Sequence, residues 1–305
     1  MKKRINIIIA IMLCVVGVLA QNAKPEGEIS LVNVVYDFYH INDLNDKSKV
    51  NHQEMILSVG KVWSNYQNFE NIKNKIKARK TLEDMVASGK IRSGGVVRGG
   101  LMVSTYTDNR IHAKYYQKIS DRELHSVESV GRNVYLVRSE LPIIKWDVKN
   151  EKKKLGGFEV QRAEGDYAGR KYIAWFCTDV PFSNGPWKLS GLPGLILEAQ
   201  DEKGEVRFIF KEIYKDEETT RLFYSGTEKD VIVANANQLE RLKAAFRNDP
   251  LGTISSQGVT NVSGSNIRFV DDDGTVDSGE RALEKIKEQH AKRKLRKENP
   301  LELTK

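Results

Sequence analysis

From Arg110 onward the sequence falls into short apolar-rich runs, and this pattern constrains the fold more than any other feature. The runs are "RIHAKYYQKI", "NVYLVRSEL", "IIKWDV", "GGFEVQRAEG", "RKYIAWFCT", "GLILEAQD" and "EVRFIFKEI", parted by Asp, Asn, Gly and Lys turns. Runs of this length and spacing are expected of antiparallel all-β folds. "ISLVNVVYDFYH" reads as a first strand, and "EMILSVG" with "KVWSNYQ" as a strand pair turning near Gly60. "EVQRAEGDYAGRKYIAWF" reads as a hairpin whose turn is marked by Gly165, Asp166 and Gly169. The expected fold is mainly β with a few helices: a strongly curved antiparallel sheet, an open half-barrel, with helices packed on or beside it.

Helices punctuate this meander. Residues 67–88 carry Phe69, Ile72, Ile76, Leu82, Met85 and Val86 among lysines and acids, and Gly89 follows. That is an amphipathic helix with a glycine stop. A second helix is expected in "NANQLERLKAAFRN" and a highly charged one in "ERALEKIKEQHAKRKLRKENP". The expected organisation is therefore a signal peptide over 1–20, a β domain over 21–248 with the inserted helix, a flexible Gly/Ser/Asp-rich loop over 249–279, and a charged helix and tail over 280–305.

The signal assignment rests on the first residues. Lys2, Lys3 and Arg4 precede an apolar run from Ile5 to Leu19, and Val18-Leu19-Ala20 offers a cleavage site after Ala20. The run is shorter than the ~20 residues a spanning helix needs. Leu13 before Cys14 is too large for a lipoprotein processing site. Export to the periplasm or outer-membrane surface is expected, with no transmembrane span in the mature chain. Cleavage would remove Cys14 and leave Cys177 alone, so no intramolecular disulfide is expected. Cys177 lies among aromatics and reads as a buried small hydrophobe.

Charge excludes a nucleic-acid partner. Of the formal +8, Lys2, Lys3 and Arg4 supply three. Lys292, Arg293, Lys294, Arg296 and Lys297, less Glu298, supply four more and leave a nearly neutral body. This basic cluster is expected to be dispensable for folding, unless Pro300, Leu301 and Leu303 dock on the sheet.

Catalytic signatures are missing. His40, His52, His112, His125 and His290 form no i, i+4 pair, so no metal site is expected. Ser104 and Ser190 lack a nucleophile elbow. Asp179, Glu198 and Asp201 read as flank and loop acids. "DDDGTVD" lacks the glutamate and spacing of a calcium loop and reads as solvated chain. "RSGGVVRGG" lacks the spacing of a phosphate cradle. No catalytic residue and no cofactor are expected.

The remaining feature is the corner "WKLSGLPGLILEA". Leu192-Pro193-Gly194 fits a type II turn, with Pro193 at its second position and Gly194 at its third, where φ is positive. Either Leu192 and Trp187 plug one end of the sheet, or they stand with Pro193 and Trp175 at the mouth of an apolar cleft for a lipid or partner.

"YAGRKYIAWF", "DVPFSNGPWKLSGLPGLILEAQD" and "KRKLRKENPLEL" together resemble the GLPGLI family of secreted Bacteroidetes proteins, whose motif stands here at Gly191–Ile196. The resemblance implies an envelope location and no reaction. The family often has a cysteine where Val160 stands, so a thiol role there is excluded. The corner and strand order are also distantly similar to LolA-type lipoprotein carriers. The expected function is an exported envelope protein that binds a hydrophobic ligand, a lipoprotein or another envelope protein. The alternatives are a structural or interaction module with a filled core, and a hydrolase whose site is invisible in sequence.

Overall fold

The computed structural model describes residues 29–88, 113–214, 231–257, 268–270 and 276–304. The signal segment, the glycine-rich connection, Ser104, His112 and Asp271–Asp273 lie outside the described residues. Mainly β structure is observed: 46% strand against 22% helix, with one large, curved, unclosed sheet. The strands are β1 (Val32–Ile41), β2 (Val50–Val59), β3 (Ser64–Asn68), β4 (Lys114–Lys118), β5 (Glu123–Val130), β6 (Asn133–Glu140), β7 (Asp147–Leu155), β8 (Phe158–Tyr167), β9 (Arg170–Cys177), β10 (Leu195–Asp201), β11 (Val206–Ile213) and β12 (Val231–Val233). Their order across the sheet is β12-β6-β5-β4-β3-β2-β1-β11-β10-β9-β8-β7. All neighbours are antiparallel except β12 and β6.

This order explains the curvature. β6 and β7 are consecutive in the chain but ten strand positions apart in the sheet. A flat sheet would separate them by ~48 Å at ~4.8 Å per strand. The connection from Glu140 to Asp147 is seven peptide steps, which reach at most ~25 Å. The sheet must curl to let that chain cross. The crossing segment then lies inside the curl, with Leu141 and Ile144 buried in the core. Bulges at Val35/Tyr36, Ile196/Glu198 and Val148/Lys152 bend the strands locally.

One face of the central strands carries the main core. Val34, Tyr36 and Phe38 of β1, Met55 and Leu57 of β2, Tyr172, Ala174 and Phe176 of β9 and Phe208 of β11 point into it. Helix α1 (Phe69–Ala87) starts at the Asn68 cap and covers Val35 and Ile56 with Phe69. Helices α2 (Ala236–Asn248) and α3 (Pro250–Ser256) place Leu239, Phe246 and Ile254 on Val130, Tyr135 and Val137. A capping box at Asn235 and Gln238 opens α2. Helix α4 (Glu280–Lys294) packs on a small hairpin, β13 (Arg268–Val270) with β14 (Val276–Ser278). No described helix is long and apolar enough to cross a membrane.

Several expectations need correcting. The β8–β9 turn is Ala168-Gly169, with φ of 51° and 78°, and not the Gly165-Asp166 region. Gly165 lies within β8 opposite Tyr172, where the Trp146 ring and Ile144 occupy the space a side chain would need. "ELHSVESV", not among the expected runs, forms β5, with Leu124 and Val130 on one face and Val127 on the other, each in a different apolar cluster. Part of the stretch read as flexible loop is helical: Asp249 caps α3 through the Gly252 amide, and Ile254 is buried.

Candidate functional site

The corner between β9 and β10 is a buried loop. Buried loops are rare because their backbone groups need partners. Here the partners are supplied from within and from the sheet. Gly191 N donates to Ser183 O at 2.9 Å, Leu195 N to Val180 O at 3.0 Å and Ile196 N to Asn184 O at 3.0 Å. The Trp146 indole donates to Ser190 O at 2.8 Å, the Gln117 amide to Trp187 O, and the Asn184 amide to the Ser64 hydroxyl. The β10 bulge frees the Ile196 carbonyl, which accepts from the Tyr36 hydroxyl at 2.7 Å.

The residues proposed for a cleft mouth are split by this geometry. Trp187 and Leu192 are each 1% exposed and belong to the main core. Trp187 lies nearly parallel to Phe208, with centroids 6.4 Å apart, and against Tyr167 at 5.4 Å. Pro193 is exposed. Trp175 is half-buried on the opposite side of β9 from Ala174 and Phe176, with Lys153 over its ring at 4.3 Å. Leu192 and Trp187 thus occupy the plug position. Positive φ falls on Gly191 (96°) and Trp187 (55°), and Gly194 is not among the residues with positive φ. Gly194 is required for another reason, close approach: a β-carbon there would meet the Cys177 carbonyl and the Thr178 Cα. Cys177 itself is buried as expected.

Sequence reasoning missed a densely bonded polar site. Arg170 follows the Ala168-Gly169 turn, and its side chain is only 2% exposed. Its guanidinium donates to Asp201 at 2.6 Å and lies 3.5 Å from Glu205. It also donates to Asn299 Oδ1 at 2.6 Å, Pro300 O at 2.7 Å and Leu301 O at 3.1 Å. The Asn299 amide donates to Ile41 O at 2.7 Å and to Glu205 at 3.1 Å. Residues 297–304 therefore form a strap. Lys297 and Asn299 bond the segment after β1, Glu302 pairs with Lys188 and accepts from the Tyr167 hydroxyl, and Leu303 N donates to Ala168 O. "NPLEL" docks on the sheet body, which is the condition set against a dispensable basic cluster, and Arg170 and Asn299 do most of the bonding.

The electrostatics of this site follow from burial. Burial, then the Arg170 charge, push the nearby His40 down to about 4. Burial alone would raise Glu205, but Lys47, Asn299 and Arg170 outweigh it and hold that carboxyl below its usual range. With the strap in place, the Arg170 guanidinium and the Asp201 and Glu205 carboxylates are enclosed.

A second polar group lies on the outer face. His52 Nε2 meets Asp37 at 2.7 Å, Tyr39 stacks on the His52 ring at 4.7 Å, and the Arg207 guanidinium lies 4.8 Å over Tyr39. Cys177 lies in the core and not in this outer group. Among the described residues, no group of three His, Cys, Asp or Glu side chains is placed to hold a metal ion.

No curated protein matches this chain. Two solved structures are similar to it, "Structure of PNGF-II in P21 space group" and "Structure of PNGF-II in C2 space group". Their identities are 13% and 14%, with TM-scores of 0.47 and 0.45. Each covers 71% of this chain, and this chain spans about a third of their length, 34% and 33%. Likeness this distant carries no argument about function. Residues 168–198, from the β8–β9 turn through Arg170 and the whole corner, match the model of a family described as a protein of unknown function, Porph_ging.

Proposed function

We propose that this chain is an exported, non-enzymatic interaction module of the cell envelope that works through its outer surface and keeps a filled interior. The observation that carries the reading is the 1% exposure of both Trp187 and Leu192, the two residues a lipid cradle would leave open. The outer group of Tyr39, His52 and Arg207 supports it, because Tyr and Arg are enriched where proteins meet. Export is supported by the basic start, the apolar run and Ala20. The GLPGLI motif at Gly191–Ile196 lies within the family match and supports membership of that secreted group.

Native mass spectrometry of protein purified from its own envelope tests the reading. The expected mass is that of the chain from Gln21, alone or with a protein partner. A stoichiometric lipid adduct would overturn the filled-interior reading in favour of a carrier, and a chain still starting at Met1 would overturn export.

A further inference from the structure

The strap has the character of a bound peptide. Glu298 to Leu303 cross the ends of β1, β8 and β9, bending at Leu301 and Leu303, and their partners are almost all on the sheet body. Two of the Arg170 bonds go to main-chain carbonyls, those of Pro300 and Leu301, and so hold the strap by its backbone. Two side chains are read individually. Asn299 is held on both sides of its amide, its oxygen by Arg170 and its nitrogen by Ile41 O and Glu205. Glu302 lies between Lys188 and Tyr167. Pro300 suits the site, since its fixed φ lowers the cost of ordering a bound segment.

The receiving groups are arranged without help from the strap. Asp201 and Glu205 aim the guanidinium from the body, and Asp201 is itself fixed by accepting from Val206 N at 3.0 Å. Helix α4, which leads into the strap, packs on the β13–β14 hairpin.

We infer that the Arg170 cleft is a peptide-binding site specific for an Asn-Pro-Leu-Glu segment, filled here in cis by residues 299–302 and able to take the same segment from a second copy of this chain. The inference goes beyond the reading above, and peptide binding and native mass spectrometry test the two separately. Arg170 supplies donors, Glu205 and Ile41 O supply acceptors, and Lys188 supplies the charge that Glu302 answers. Strap exchange would link two copies without any new interface.

The test uses the folded full chain with a protease site placed between α4 and residue 297. After cutting, a fluorescent peptide of residues 297–305 is added, and anisotropy is followed. The labelled peptide should bind saturably, by exchange if the cut strap stays in place, and unlabelled peptide should displace it. A peptide with Asn299→Ala should bind at least tenfold more weakly, and one with Glu302→Ala only a few-fold. Loss of far-ultraviolet dichroism on cutting would overturn the inference, since the cleft would then not exist without the covalent strap. A folded cut chain that neither retains its strap nor binds the peptide would do the same, as would equal binding of the Asn299→Ala peptide.

Discussion

Gly194 lies so close to the Cys177 carbonyl that a β-carbon would sit 2.7 Å from the carbonyl carbon and nearer still to its oxygen. Both groups are backbone, at the first rung of the β9–β10 ladder, where Leu195 pairs with Cys177. Nothing flexible can give way. Gly194→Ala should therefore cost about 3 kcal/mol, as overpacking does. Gly191 has the positive φ of 96° but open space around it, so Gly191→Ala should cost only about 1 kcal/mol of backbone strain. Urea midpoints of the two variants rank the effects. The reverse order would show that the backbone around Gly194 shifts readily to admit a side chain.

Leu192 is enclosed by the corner it belongs to. Leu192→Ala should destabilise the fold by about 2–5 kcal/mol, the range for an emptied core site. Leu192→Asp should leave the chain unfolded, since an unpaired carboxylate would replace a core side chain. In a chain with Trp63, Trp146 and Trp175 replaced by Phe, Trp187 emission should be unaffected by lysolipid. A folded Leu192→Asp protein, or a lipid-dependent shift, would show that the corner opens.

Removing Arg170 should be costly. Arg170→Met strands Asp201 and Glu205 in a buried site, a loss of about 3–5 kcal/mol. Asn299→Ala keeps those ion pairs and should cost about 2 kcal/mol. Thermal denaturation decides between them, and equal melting temperatures for Arg170→Met and the parent would show that the network is dispensable.

Acid should weaken the fold through His40. Its ordinary value is 6.5, and burial lowers it to about 4 in the fold. Below pH 6.5 the unfolded chain takes up a proton that the folded chain refuses. Stability therefore falls as pH drops from 6.5 towards 4, by at most about 1.4 kcal/mol per pH unit. Glu205, with its lowered carboxyl, acts in the same direction further down, as pH falls through its folded value. Urea midpoints measured from pH 7 to 4 should decline, and His40→Gln should flatten the decline above pH 4. A parent curve already flat in that range would show that His40 protonates freely in the fold.

How much of this could be read in advance depends on how far apart the partners lie. Strands such as β1 and β9 announce themselves because alternation is a local property of the chain. The plug role of Leu192 was one of two readings of its corner, and only packing could choose between them. Gly194 looked like a turn glycine because the Leu-Pro-Gly triplet is local, whereas Cys177, the group it must clear, belongs to another strand. Arg170 gave no signal: a cation beside an apolar run reads as solvated. Its burial is made tolerable by Asp201 and Asn299, which lie 31 and 129 residues away in sequence.

The pairing of β1 with β11 sets the order in which the molecule can be assembled. A chain emerging residue by residue shows β1 early, and β2 soon gives it one neighbour. Its other edge, beside Val34, Tyr36 and Phe38, has no partner until residues 206–213 emerge. Until then the edge is open to any strand from another molecule, the usual start of aggregation. Such late pairing slows folding, because distant contacts must form before they stabilise anything. A cell making this protein would gain from a chaperone that shields β1 during that interval.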